Sequence, residues 1–306
     1  MLDQIVFFIK KSSAEDDFVY AQVMSTAGYI KECGCEARVI EIGENSFDKL
    51  AEMDKETTLF VTDSKEMAEG LVERGYYCIG LSHERNTGEN FAGLKYVFTD
   101  IDQVEFDSFK KVYQRYVGEP WEVIKTDRLL IRETTVEDVD EFYELYKDPE
   151  MTRYMEGLFE NPEDEKRYQR DYIQKVYGFY GFGVWTIVRQ SDNRIIGRAG
   201  YSARNGFDEI ELGFLIGKEF QHQGYAYEAC DAILRYGESV LLLDHVQALV
   251  KKDNEVSRHL CEKLGFTESG TVDVEENIYG RGYNSESVVK FSEPKYGEYV
   301  RYRLEF

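Results

Sequence analysis

The chain has 306 residues, enough for two domains of ordinary size. Hydrophobic residues make up 42% of it and charged residues 31%, which is the balance of a globular protein. The formal net charge of −22 repels a phosphate backbone, so we expect no nucleic-acid partner. The same charge is compatible with a cationic amine as a substrate.

The cysteines and the N-terminal sequence indicate in which cellular compartment we expect the protein. Cys33 and Cys35 alone lie close together, and a C-x-C pair is a weak signal for metal or redox chemistry. The start MLDQIVFFIKK has five consecutive apolar residues, which indicate a strand rather than a secretory signal. No apolar run reaches membrane-spanning length. We therefore expect a cytoplasmic protein with reduced thiols, no membrane partner and no metal site.

Strands alternate with helices in the first third of the chain. Apolar runs predict strands at 4–9, 37–42, 58–62, 77–81 and 94–99, and helices are expected at 15–33, 47–53 and 65–74. This spacing is typical of a small parallel sheet. We therefore predict a Rossmann-like α/β domain over residues 1–118. Its glycines do not follow the G-x-G-x-x-G spacing of a dinucleotide loop.

Aspartates follow two of these strands and raise a second catalytic hypothesis. Asp63 follows the third strand, and Asp100 and Asp102 follow the fifth. Residues 59–81 resemble part of the haloacid-dehalogenase phosphatase fold, which uses paired aspartates at a strand end. The family signature D-x-D-G-T is replaced here by D-I-D-Q-V. Phosphatase chemistry is therefore the weaker hypothesis.

A change of pattern separates the two halves of the chain. A helix predicted at 107–117 ends at G-E-P-W, where we place the boundary. Residues 119–126 are expected to be a linker, and a second domain to span 127–306. It begins with a strand at 127–133 and a helix. A tyrosine-rich helix at 163–180 and a hairpin of strands 184–188 and 195–201 follow.

Residues 209–229 combine a strand, a polar loop and a helix. Apolar residues alternate from Ile210 to Ile216, and the helical pattern begins after Gly224. The first amides of a helix have no partner within it, and the helix dipole is positive there. Gly224 lets the backbone approach a bulky anion, so this stretch predicts an anion site. Because strand–loop–helix units without ligands are common, the prediction needs support elsewhere.

The remainder of the chain supplies the last elements. The helix continues to residue 242, a strand is predicted at 245–250, and a helix runs from Asn254 toward Phe266. Closing strands are expected at 287–291 and 298–306, in an order that the sequence does not define.

Three segments together resemble the GNAT N-acetyltransferase superfamily. The sequence Q-H-Q-G-Y-A resembles its Q/R-x-x-G-x-G/A pyrophosphate loop. The sequence T-D-R-L-L-I-R-E-T-T-V-E-D-V-D resembles the first strand and helix of the branch that includes ribosomal-protein N-terminal acetyltransferases. The N-x-x-S…K-L-G-F helix is the third match, and the three cover roughly 127–270. The resemblance implies a GNAT mixed-sheet α+β domain behind the parallel-sheet domain.

The resemblance also implies an acetyl-CoA site. The strand backbone at Phe214, Leu215 and Ile216 would pair with the pantetheine arm, and Asn254 would hydrogen bond to it. Backbone amides would hold the pyrophosphate at His222, Gln223, Gly224, Tyr225, Ala226 and Tyr227. An amine would attack the thioester directly in a ternary complex.

Glu211 is the candidate proton acceptor. Related proteins place a carboxylate in this region of the central strand, where it acts directly or through water. Glu209 lies two residues earlier on the same strand face and stays an alternative.

Cys261 is the candidate proton donor. It stands where many family members have a tyrosine, seven residues after the asparagine. Its thiol can donate a proton or can simply be buried. Water, Tyr279 and Tyr283 remain alternatives. His222 and His259 are expected to face solvent or the cosubstrate.

These observations favour an acyl-CoA-dependent N-acetyltransferase that acts on a primary amine, either a protein N-terminus or a small amine. The alternative is a non-catalytic acyl-CoA-binding or regulatory protein on the same fold. Homodimer formation stays open.

Overall fold

The computed structural model describes residues 1–10, 18–155, 157–276, 283 and 295–306. These residues form two compact units, Met1–Glu119 and Pro120–Phe306, each built on its own sheet. The division falls one residue after the boundary drawn from the sequence. Tyr279 and the strand expected at 287–291 lie outside the described residues.

The first unit contains five parallel strands in the order β2-β1-β3-β4-β5. The strands are β1 (Gln4–Ile9), β2 (Glu36–Glu41), β3 (Thr58–Thr62), β4 (Tyr77–Leu81) and β5 (Val97–Phe98). The predicted parallel sheet is therefore confirmed. Strand β5 is shorter than expected because the N–H of Leu94 closes a turn on the carbonyl of Phe91, 2.8 Å away.

Both faces of this sheet are covered, as parallel sheets require. The helices are α1 (Phe18–Glu32), α2 (Lys65–Glu73) and α3 (Phe106–Val117). Ile5 and Phe7 of the central strand pack in one apolar cluster, and Val6 and Phe8 pack in another. Alternate residues of one strand therefore contribute to two separate cores.

The second unit is built on eight strands in the order β12-β13-β11-β10-β9-β8-β7-β6. They are β6 (Glu122–Lys125), β7 (Leu129–Arg132), β8 (Val184–Arg189), β9 (Arg194–Ala203), β10 (Ile210–Ile216), β11 (His245–Lys251), β12 (Thr267–Glu276) and β13 (Lys295–Glu305). All neighbouring strands are antiparallel except β10 and β11, which are parallel. The order of the closing strands is thus defined, with β13 between β11 and β12.

The expected linker at 119–126 contains a strand at residues 122–125. They form β6, which pairs with β7 through a tight turn closed by the N–H of Thr126 on the carbonyl of Leu129, 2.9 Å away. Val123 and Ile124 pack against the core of the unit. The second unit therefore begins before residue 127.

The helices of the second unit are α4 (Asp138–Leu145), α5 (Pro162–Tyr172), α6 (Gly178–Tyr180), α7 (Tyr225–Ser239) and α8 (Glu255–Lys263). A π-helical turn at Ile173–Tyr177 interrupts the single helix expected at 163–180. Tyr172 and Tyr177 anchor this segment to the sheet, because the hydroxyl of each bonds to the backbone of Val184. In the described part of the chain, we find no helix with the length and apolar character needed to cross a membrane.

Candidate active site

Strands β10 and β11 are neighbours with very short registered pairing. Among the described residues, their one registered pair is Glu211 with Gln247. Each strand has seven residues and pairs along its full length with its other neighbour, β9 or β13. The sheet therefore opens into a wedge beyond Glu211. An opened strand edge offers backbone N–H and C=O groups to an extended ligand.

The three residues predicted to meet the pantetheine arm lie on this opened edge. Phe214, Leu215 and Ile216 all follow the last pairing point with β11. Leu215 and Ile216 are buried and Phe214 is half-buried, so their side chains belong to the protein core. Within the described residues, the backbone of the segment has no registered pair in β11, and its contact with the pantetheine arm stays a prediction.

The loop after β10 is held in a defined shape by its own side chains. The Nε2 of Gln221 donates to the carbonyl of Ile216 at 2.9 Å, and the Nε2 of Gln223 donates to the carbonyl of Glu219 at 3.0 Å. His222 and Gly224 have left-handed backbones, with φ of 60° and 82°. A side chain at position 224 would strain the backbone at a φ of 82°, so this backbone conformation requires glycine there.

The start of α7 has unpaired backbone amides. The N–H groups of its first turn, at Tyr225, Ala226 and Tyr227, have no partner within the helix, and among the described residues no side chain caps it. The first bonded amide is that of Glu228, which donates to the carbonyl of Gly224 at 3.1 Å. Unpaired amides at the positive end of a helix favour an anion, and the pyrophosphate contacts expected for residues 222–227 stay a prediction that suits this geometry.

Arg128 and Glu228 support this loop, and the sequence did not indicate either residue. The guanidinium of Arg128 donates to the carbonyl of Gln223 at 3.0 Å and to Glu228 at 2.6 Å. Glu228 also accepts from the hydroxyl of Thr126 at 2.6 Å. Although burial raises the pKa of Glu228, these bonds lower it to a net value below normal. The pair joins the loop to the turn before β7 across 100 residues of sequence.

Asn254 caps α8 with one side of its amide. Its Oδ1 accepts from the N–H of Ser257 at 3.2 Å, while the side chain stays half-buried. The cap leaves the Nδ2 group as the part of the side chain suited to a ligand's carbonyl. The predicted contact with the pantetheine arm is compatible with this arrangement.

Glu211 is a buried carboxylate with an asymmetric arginine partner. The residue is 5% exposed, and Arg204 donates from Nε to Oε2 at 2.6 Å. The second contact, from Nη2 to Oε1, is 3.5 Å long. Burial raises the pKa of Glu211 and Arg204 lowers it, with a net value above normal. A carboxylate of raised pKa is a better match to an amine proton than an exposed one.

Glu209, the alternative proton acceptor, is occupied by two arginines. Its carboxylate lies 2.9 Å from Arg301 and 3.0 Å from Arg303. These contacts join the start of β10 to β13. The geometry therefore favours a structural role for Glu209 and leaves Glu211 as the candidate base.

Gln247 is a polar residue of the site that sequence reasoning missed. It is 0% exposed, and its Nε2 donates to the backbone carbonyl of Glu209 at 3.0 Å. Its Oε1 is buried and has no hydrogen-bond partner within the described residues. The signal available in the sequence was one amide inside the apolar run H-V-Q-A-L-V.

Cys261 does not support the predicted role of proton donor. It is 1% exposed and packs in the apolar core with Cys230 and Phe266. Burial raises the pKa of its thiol to about 12. A buried thiol in an apolar cluster neither meets substrate nor releases a proton readily.

The other candidates are a hydrogen-bonded tyrosine and two exposed histidines. The hydroxyl of Tyr283 donates to Asp171 at 2.6 Å, and burial together with this carboxylate raises its pKa to about 12. His222 and His259 are exposed, as expected.

Asp63 and Asp100 of the first unit follow strands that are not neighbours in the sheet. Asp63 follows β3 and Asp100 follows β5, with β4 between them. Asp63 is buried, accepts from the N–H of Lys10 at 2.8 Å and has a pKa raised by burial. Within the described ranges, no group of three or more His, Cys, Asp or Glu residues is placed to hold a metal ion. The phosphatase hypothesis gains no support from this arrangement.

Residues 128–267 match the family model described as the acetyltransferase (GNAT) domain. The protein named uncharacterized N-acetyltransferase YoaA, from Bacillus subtilis, is 32% identical over 154 residues. That match covers 49% of this chain and 85% of YoaA. The chain belongs to the GNAT acetyltransferase family. It is an N-acetyltransferase, and members of this family in general use acetyl-CoA.

One further protein is similar to this GNAT chain in sequence, and one solved structure is similar to it in fold. The Escherichia coli [Ribosomal protein uS5]-alanine N-acetyltransferase is 32% identical over 81 residues, or 26% of this chain and 42% of that enzyme. A solved GNAT acetyltransferase from Bacillus anthracis is 22% identical, with a TM-score of 0.45 over 60% of this chain and 97% of its own. The family match over residues 128–267 and the similarity to YoaA confirm the resemblance stated from the three sequence segments.

Proposed function

We propose that this protein transfers an acetyl group from acetyl-CoA to a primary amine by direct attack in a ternary complex. One observation carries the proposal: the wedge beyond Glu211 is followed, through one short loop, by the unpaired amides at the start of α7. An extended arm and a diphosphate at its end fit that sequence of groups. Acetyl-CoA supplies an activated acyl group when it is bound.

The chain's own residues bind and orient the cosubstrate in this proposal. The backbone of residues 214–216 bonds to the amide groups of the arm, and Asn254 adds a side-chain contact. The amides of residues 222–227 neutralise the diphosphate, aided by the dipole of α7. Arg128 keeps this loop in place through the carbonyl of Gln223.

Proton transfer in this proposal depends on Glu211. The carboxylate removes the proton that an ammonium group must lose before its nitrogen can attack. Burial favours this step because it raises the pKa of Glu211 toward that of an amine. Since Cys261 is buried in the apolar core, we propose that water returns a proton to the departing thiolate.

The acceptor is a primary amine, either a protein N-terminus or a small amine. A protein N-terminus is supported by the similarity to the E. coli [Ribosomal protein uS5]-alanine N-acetyltransferase. We also propose that residues 1–118 form a Rossmann-like domain and that the protein acts in the cytoplasm. The absence of nucleic-acid and membrane partners stays a prediction, and so does a homodimer.

Release of free thiol from acetyl-CoA, measured with a panel of peptides and small amines, tests the proposed reaction. We expect release that depends on the amine, and a Glu211→Gln variant slower by about 10²–10⁴-fold, the usual effect of losing a general base. Glu219→Gln is the matched control, because its carboxylate is exposed and pairs with Arg194. Acetyl-CoA binding without any thiol release would instead favour the non-catalytic alternative.

A further inference from the structure

Gln247 lies at the apex of the wedge, opposite Glu211. The two are the registered pair of β10 and β11, so their side chains share one face of the sheet. Parallel strands lie about 4.8 Å apart, which places the two side chains next to each other. The neighbours of Gln247 in its strand, Val246 and Ala248, pack into the apolar core on the opposite face.

The amide of Gln247 has one satisfied end and one unsatisfied end. Its Nε2 donates to the carbonyl of Glu209 at 3.0 Å, which fixes the assignment of nitrogen and oxygen. The Oε1 atom is buried without a partner in the described part of the chain. A buried acceptor without a bond is costly, so a donor from elsewhere is expected to use it.

Glu211 presents a second acceptor that is only weakly held. The Nε of Arg204 donates to Oε2 of Glu211 at 2.6 Å. The Nη2 of Arg204 is 3.5 Å from Oε1 of Glu211, at the outer limit of a hydrogen bond. Two acceptor oxygens therefore lie on adjacent strands at the point where the strands separate: Oε1 of Gln247, which has no partner among the described residues, and Oε1 of Glu211, which is held only at 3.5 Å. A nitrogen that carries more than one hydrogen matches this pair.

Charges near the pair come from the segment before β10 and from β13. Arg204 precedes β10, Glu209 lies just before its first residue, and β13 contributes Arg301 and Arg303, with the Tyr299 hydroxyl near Glu211 and Arg204. Together with Glu211, the charged groups are three guanidinium groups and two carboxylates. This balance does not favour a permanent cation, and it suits an amine that gives up its proton on arrival.

We propose that Oε1 of Gln247 accepts a hydrogen bond from the acceptor's amine and orients its nitrogen while Glu211 removes a proton. The inference rests on the proposed function and adds a residue that binds the amine. The proton passes to Glu211, and the nitrogen lone pair forms the bond to the thioester carbon. The carbon–sulfur bond breaks with its electrons on sulfur, a second proton passes from the nitrogen through water to the thiolate, and Gln247 stays bonded to the one N–H that the amide product keeps.

Two substitutions separate this role from a structural one. Gln247→Met removes both amide functions, whereas Gln247→Glu keeps an acceptor oxygen and loses the donor to Glu209. If Oε1 holds the amine, Gln247→Met raises the amine KM by about tenfold, the effect of one hydrogen bond, and leaves the KM for acetyl-CoA unchanged. Gln247→Glu then keeps an amine KM close to the wild-type value.

Gln190→Met is the matched control for these variants. Its Nε2 also donates to backbone carbonyls, at 2.7 and 3.1 Å, but it follows β8, two strands away from β10. We expect this variant to lose some stability without a change in the amine KM.

Steady-state thiol release, with thermal melting as a folding check, gives a decision in each case. An unchanged amine KM in Gln247→Met, or an equal rise in both variants, overturns the inference, because the amide then acts as a structural bond or holds a water. If Gln247→Met does not fold, the amine KM of Gln247→Glu decides alone. If the wild-type protein releases no thiol with any amine, the proposed function fails first and the inference fails with it.

Discussion

The pKa of Glu211 is set by two opposing effects, burial and the contact with Arg204. Burial disfavours the charged carboxylate, and Arg204 favours it, with burial the larger effect. The net pKa lies above normal, so the carboxylate is protonated more readily than an exposed glutamate. Arg204 thereby keeps a buried base in its charged, working form over a wider range of pH.

Arg204→Gln tests this balance. Loss of the guanidinium raises the pKa of Glu211 further, so the acidic limb of the kcat/KM profile moves to higher pH by about one to three units. The pH dependence of thiol release measures the shift. Arg194→Gln removes an exposed arginine–glutamate pair and should leave the limb in place. An unmoved limb in both variants would contradict the role given to Arg204.

The raised pKa of Glu211 should also make the stability of the protein depend on pH. A carboxyl whose folded pKa is raised contributes most below its unfolded pKa, and this contribution is lost as pH rises through the folded pKa. Arg204→Gln should therefore lose progressively more stability than wild type as pH rises from acid toward neutral. Denaturant unfolding at several pH values measures this. The added pH dependence should vanish in the Glu211→Gln background.

At the scale of elements, the strand–loop–helix unit from β10 to α7 forms the anion site through its backbone. Gly224 has a φ of 82° and forms the start of α7 without a side-chain cap. A Cβ there meets nothing closer than 3.5 Å, so strain comes from the backbone conformation rather than from crowding. A substitution should therefore shift the loop and displace its amides.

Gly224→Ala should weaken binding of CoA by at least about tenfold, since the amides no longer converge on one anion. Calorimetric titration with CoA measures the change. Gly181→Ala is the control, because its φ is 72°, its surroundings are open and it lies after α6, outside the loop. Equal losses of CoA affinity in the two variants would show that general strain, and not the loop, is responsible.

Local patterns predicted the elements of the site better than its contacts. The alternation in β10 and the glycine before α7 are patterns among neighbouring residues. The sequence could therefore predict strand β10 and the loop that follows it. The bond between Arg128 and Glu228 spans 100 residues, and the burial of Cys261 depends on how α8 packs. Strand β6 was missed because four residues beside a proline give too short a pattern for a strand prediction.

For the whole molecule, the two units differ in the sheet that each one builds. Met1–Glu119 has a five-stranded parallel sheet with cores on both faces, and Pro120–Phe306 has an eight-stranded sheet with its own core. Since each unit buries its own apolar residues, the second should fold without the first.

Two fragments test this expectation and the correction at the boundary together. Residues 120–306 should fold cooperatively and bind CoA. Residues 127–306 lack β6, which exposes the edge of β7 and the side chains of Leu129 and Ile131, so this fragment should melt at a lower temperature. Circular dichroism melts compare the two. Equal melting temperatures would mean that β6 adds nothing, and an unfolded longer fragment would refute the independence of the unit.

The central claim is that the loop amides bind a diphosphate while β10 receives the arm behind it. A crystal structure with acetyl-CoA tests it most directly. The account predicts diphosphate oxygens within hydrogen-bond distance of the amides of residues 222–227 and the arm paired with residues 214–216. Acetyl-CoA bound elsewhere, or a wedge filled by the protein's own side chains at saturating ligand, would contradict it.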